Sequence, residues 1–210
     1  MHLQGNQFRI GKLTTSKKEL NDMLKAWIAI SAAFAIAITG SFNSPGFYLK
    51  FISAAFTVGL GFLLHEIGHK IMAQKYVCFA EFRSFDNMLV LALLMSFFGF
   101  IFAAPGAVMI AGKVTRRKNG MISAAGPAVN LVLSLIFLGI FFMPAPDFVK
   151  LGAYYGFIVN AWLALFNMIP FWLFDGRKIW EWSRPVYFSI TAIAVIFMVL
   201  QGFIGLPYPK

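Results

Sequence analysis

Residues 65–69 read His65-Glu66-Ile67-Gly68-His69. On a helix, positions four apart share one face, one turn from each other. Two imidazoles at that spacing can hold one zinc ion, and the carboxylate beside the first can act as a general base on water. The chain has three histidines, His2, His65 and His69, so two of the three fall in this motif. A catalytic zinc takes a third protein ligand and keeps one position open. Eight acids could supply it: Glu19, Asp22, Glu66, Glu81, Asp86, Asp147, Asp175 and Glu181. Most of them stand in tails or loops next to basic residues, as solvated charges do. Asp175 instead ends an apolar run and follows Asn167 and Pro170. Cys78 is the weaker candidate and reads better as a small apolar filler.

The elements that must carry these residues are read from composition and patterning. Of 210 residues, 60% are hydrophobic and 12% charged, against roughly 25% charged in soluble domains. The mean hydropathy is +0.75. These values exclude a soluble enzyme, a disordered chain and a nucleic-acid-binding domain. Apolar runs cover residues 26–38, 48–73, 87–111, 121–142, 151–174 and 185–204. Each except the third reads as one helical span, for which about 20 residues are needed. Ionisable groups at membrane depth are costly and tend to mark function. Three of them in five residues of the second run therefore point to a metal site rather than to packing. The third run is interrupted by Pro105-Gly106, and residues 107–115 are rich in β-formers. Residues 1–22 read as a polar cytosolic tail, and 23–210 as a single integral-membrane domain. One cysteine excludes an internal disulfide, and no internal repeat is evident.

Three segments taken together, 65-HEIGH-69, 126-GPAVN-130 and 167-NMIPFWLFDG-176, resemble the site-2 protease family of intramembrane zinc metalloproteases. The resemblance covers about residues 62–176. It implies one zinc ion per chain, bound by His65, His69 and Asp175, with Glu66 as catalytic base. It further implies that Asn167 positions substrate or stabilises the oxyanion. Asn130 and Gly126 would shape helix packing near the site. Trp172 and Phe174 stand where the family often has further prolines, and no glycine closely follows the HExxH helix. These departures bear on loop shape and substrate selectivity.

Asp175 and the histidines can share a zinc only if the second and fifth runs are parallel. The third run must then make no net crossing, as a re-entrant or β-hairpin-like segment over residues 87–116. The basic residues test this independently. With a cytosolic N-terminus, that arrangement puts 15 of the 18 Lys and Arg inside, against 10 if the third run crosses. The positive-inside rule favours the first. The expected fold is therefore an all-α polytopic membrane protein with about five transmembrane helices and one re-entrant segment. The net charge of +10 is read as membrane orientation, not as nucleic-acid binding.

The expected function is hydrolysis of peptide bonds within or near transmembrane segments of membrane proteins. The site would lie inside the bilayer of the cell membrane, toward the cytosol, and the partners would be a transmembrane substrate and the lipid. A helical substrate hides its peptide bonds in its own hydrogen bonds, so it must unwind before cleavage. The segment 104–116 could hold the unwound stretch by β-augmentation. Two other readings use the same residues: a catalytically silent homologue that binds transmembrane helices, and a metal or proton transporter. A membrane-anchored zincin with a cytosolic site would instead need a downstream glutamate ligand, for which only Glu81 and Glu181 are present.

Overall fold

The computed structural model describes residues 7–11, 13–101, 105–171 and 174–204. The chain divides into two compact units, one of Met1–Ala55 with Lys70–Lys113, the other of Phe56–His69 with Val114–Lys210.

In the first unit, β1 (Gln7–Ile10) and β2 (Leu13–Ser16) pair antiparallel, with Gln7 opposite Ser16. Ser16 then caps α1 (Lys17–Thr39), its hydroxyl accepting the Glu19 N–H at 3.1 Å. This satisfies one of the amides that a helix start leaves without a partner. The polar N-terminal stretch thus carries a hairpin and the first turns of a helix. Gly40 ends α1 in a left-handed conformation (φ 77°), its N–H returning to the Ile36 carbonyl. The second helical run starts with α2 (Phe47–Ala54), passes one π-helical turn at Ala55–Gly59, and continues as α3 (Leu60–Lys75).

Next come β3 (Phe79–Ser84), α4 (Asp86–Ser96) and β4 (Gly106–Ala111). β3 and β4 pair antiparallel, Phe79 opposite Ala111 and Ser84 opposite Gly106. The third apolar run is therefore not one helix. Its 11-residue α4 spans roughly 16 Å at 1.5 Å per residue, too short to cross a membrane. The expected strand character appears in β4. A side chain at Gly106 would run into the Phe82 ring and the Arg83 carbonyl, so glycine is what lets the strands close there.

Two acids read as solvated charges are buried in this unit. Glu19, fully buried, accepts from the Phe82 N–H (2.9 Å), the Thr15 hydroxyl (2.7 Å) and the Lys70 ammonium. Glu81 accepts from Ser16 and pairs with Arg83 at 2.5 Å. A buried carboxylate persists when its lone pairs are met by charge and hydrogen bonds. These partners come from separate segments, which spacing along the chain does not reveal.

The second unit combines the first ten residues of α3 with α5 (Arg116–Phe142), α6 (Asp147–Asn167), α7 (Asp175–Trp182) and α8 (Arg184–Leu200). Its core joins Leu131, Phe157, Met168, Ile179, Tyr187 and Phe197 around the fully buried Ala161, Ala164 and Ala194. The fifth apolar run, residues 151–174, reads as one span with a break that Pro170 and Gly176 permit, and the structure has that break: α6 ends at Asn167, and Asp175 begins a separate helix. Pro170 accounts for this, since proline disfavours helical backbone in the residue before it.

Four segments are long and apolar enough to cross a membrane: Lys17–Thr39, Phe47–Lys75, Arg116–Phe142 and Asp147–Asn167. At 17 residues, α8 is shorter. The molecule is mostly helical, with the β-structure confined to the first unit among the described residues.

Candidate metal centre

His65, Glu66 and His69 lie near the middle of α3, and all three are buried. Asp175 is the first residue of α7 and is buried too. Gly176 fixes how that helix starts. A Cβ there would collide with the Met168 carbonyl, so its absence lets the first turn of α7 close against the end of α6.

Three donor atoms converge. His65 Nε2 and His69 Nε2 are 3.0 Å apart, and Asp175 Oδ2 lies 3.2 Å from the first and 3.0 Å from the second. Ligands about 2.0–2.1 Å from a tetrahedral zinc stand roughly 3.3 Å from one another. The spacing therefore fits a small cation at the centre of the three. Among the described residues this is the one cluster of histidine, cysteine and acidic side chains able to hold a metal.

The second nitrogen of each ring decides what the first can do. His65 Nδ1 lies 2.6 Å from Asn130 Oδ1, and His69 Nδ1 lies 2.8 Å from the Ile122 carbonyl. Both partners are acceptors, so both Nδ1 atoms carry the proton and donate. Each neutral ring then presents a lone pair at Nε2, the form that binds metal. The space before those lone pairs is kept open by Gly126, where a Cβ would stand 2.5 Å from His65 Nε2 and His69 Nε2. Asp175 turns Oδ2 toward both Nε2 atoms, and a carboxylate oxygen there completes a donor set of the kind that zinc takes.

The structure gathers His65, His69, Asp175, Asn130 and Gly126 in one place, with Glu66 next to His65 in the chain. Asn167 is placed differently. It is half-buried at the end of α6, where its amide donates to the Leu163 carbonyl at 2.9 Å. Cys78, a buried thiol whose Sγ lies 3.7 Å from the Tyr76 carbonyl, is not among the clustered ligands. Glu181 pairs with Arg177 at 3.0 Å, and Glu81 is engaged as described, so the downstream-glutamate arrangement has no ligand. Two participants escaped the sequence reading. The Ile122 carbonyl carries no side-chain signal. Asn160 did carry one, as an amide within an apolar run; it is fully buried and accepts from Asn130 Nδ2 at 3.0 Å.

A comparison with known proteins settles the relationship. The chain is 38% identical over 166 residues to a protein of Methanocaldococcus jannaschii named "Putative zinc metalloprotease MJ0611", covering 77% of this chain and 86% of that one. The chain belongs to that metalloprotease family. The match extends well beyond the HExxH helix, so membership rests on most of the chain and not on one motif. No family model and no solved structure matches the chain.

Proposed function

We propose that this metalloprotease is an intramembrane zinc endopeptidase of the site-2 type, cutting peptide bonds within or near transmembrane segments of membrane proteins. The observation that carries the proposal is the convergence of His65 Nε2, His69 Nε2 and Asp175 Oδ2 at 3.0–3.2 Å, with both histidines on a helix long and apolar enough to span a bilayer.

The donor set, two neutral imidazoles and a carboxylate around a cradle kept clear by Gly126, fits zinc. When bound, zinc supplies a Lewis acid that polarises the scissile carbonyl and makes water acidic enough to attack. Glu66 accepts the water proton and passes it to the leaving amine. Asn130 holds His65, and Asn167 contacts the unwound substrate. Among the described residues β4 pairs with β3 alone, so its other edge is available for the substrate to add a strand. The N-terminus is cytosolic in this reading, and the site lies within the bilayer toward the cytosol, as the basic residues favour.

The test is reconstitution in liposomes with a panel of single-span membrane proteins, with cut sites mapped by mass spectrometry. Cuts inside or within a few residues of the spans, abolished by a chelator and restored by zinc, support the proposal. Cuts confined to soluble loops would exclude intramembrane action. Zinc binding without any cleavage would favour a silent helix-binding homologue.

A further inference from the structure

We infer that Asn160 is a positioning residue that sets the tautomer of His65 through Asn130. The inference rests on the zinc reading of the site and extends it to a residue outside all three motifs.

The chain of bonds is directional. Asn160 Nδ2 donates to the Gly156 carbonyl one turn back on α6, at 2.9 Å. That turns its Oδ1 toward Asn130, whose Nδ2 donates to it at 3.0 Å. The same Nδ2 also donates to the Gly61 carbonyl at 3.2 Å. With both amide hydrogens so engaged, Asn130 can offer His65 Nδ1 only its oxygen, at 2.6 Å. The proton is thereby kept on Nδ1 and the lone pair on Nε2.

Reversing the Asn130 amide would set its NH2 against His65 and its oxygen against two other oxygens, those of Asn160 and Gly61. Reversing Asn160 would set oxygen against the Gly156 carbonyl and NH2 against NH2. Asn130 and Asn160 are both fully buried and His65 nearly so, where an unpaired polar group is expensive. One orientation of the whole relay therefore wins. Gly61 is part of it twice: its carbonyl accepts from Asn130, and a Cβ there would overlap Asn160 Oδ1.

The experiment uses full-length protein with 15N-labelled histidine rings, stripped of metal. Only His2, His65 and His69 contribute signals. The wild type is expected to show both His65 and His69 protonated on Nδ1. Asn160→Leu, branched alike but bulkier and without polar atoms, should leave His65 a mixture of tautomers. His69, held by the Ile122 carbonyl, should not change. Zinc affinity of that variant should fall about tenfold or more, in the range usual for groups that orient a ligand. Asn160→Ala gives the same readout if leucine is too wide for the cleft beside Gly61. Asn160→Asp, kept protonated by burial, can still donate to Gly156 and accept from Asn130, so it should retain tautomer and affinity.

An unchanged His65 spectrum in the apolar variants would overturn the inference. So would equal changes at His65 and His69, which indicate loosened packing, or equal losses in the Asp and Leu variants. The tautomer is read without metal. A wild type that binds no zinc but shows the stated tautomer pattern would sink the zinc reading and leave the relay standing.

Discussion

In the proposed reaction Glu66 and the histidines flanking it separate two tasks, moving a proton and holding the metal. Glu66→Gln keeps size and burial but cannot take a proton. It should retain zinc while cleavage falls at least ~100-fold, the scale of a lost general base; metal analysis beside a cleavage assay checks both. Gly126→Ala tests the cradle. Its methyl would stand 2.5 Å from both Nε2 atoms, so zinc affinity measured by chelator competition should drop tenfold or more. At this scale much of the site was legible, because HExxH and the later aspartate announce their chemistry through residue type. The Ile122 carbonyl was not, since every residue has one. Asn160 was visible as a polar residue in an apolar run, but its purpose depends on Asn130, a partner on another helix.

The elements were legible where periodicity is long and obscure where it is short. The runs holding α1, α3, α5 and α6 carry enough apolar residues to declare helices. β1 and β2 are four residues each, too short for alternation to stand out from polar sequence. The third run read ambiguously because it contains two elements, and Pro105-Gly106 marks the start of β4. Packing of α3 on α5 depends on Gly68, where a Cβ would come within 2.9 Å of Val129 and 3.2 Å of the Ala125 carbonyl. Gly68→Leu should cost about 1–3 kcal/mol by overpacking, seen as a lower unfolding temperature in detergent. In the first unit, Lys70→Met would strand the buried Glu19 carboxylate and should cost about 3–5 kcal/mol. Adding Glu19→Leu should recover part of that loss, because the unpaired charge is gone.

For the whole molecule, composition alone declared a membrane protein, and the four long apolar helices agree. The proposed orientation rests on charge placement: Lys113, Arg116, Arg117 and Lys118 cluster at the start of α5, and Lys150 stands near the start of α6. With Cys78 replaced by alanine, a cysteine at position 118 should be labelled from the cytosolic face and one at 150 from the opposite face. Labelling of both from one side would remove a crossing between them. The approach of Asp175 to the histidines depends on α6 ending ahead of Pro170, which is local and legible, and on the close turn of Gly176 against Met168, which is tertiary packing and is not.

The central claim is that His65, His69 and Asp175 hold one zinc ion. Its most direct test is the zinc content of the detergent-purified protein, wild type beside Asp175→Ala. One zinc per chain in the wild type, clearly reduced in the variant, is the expected result. A wild type that holds no zinc after controls for stripping, or a variant that holds as much as the wild type, would contradict it.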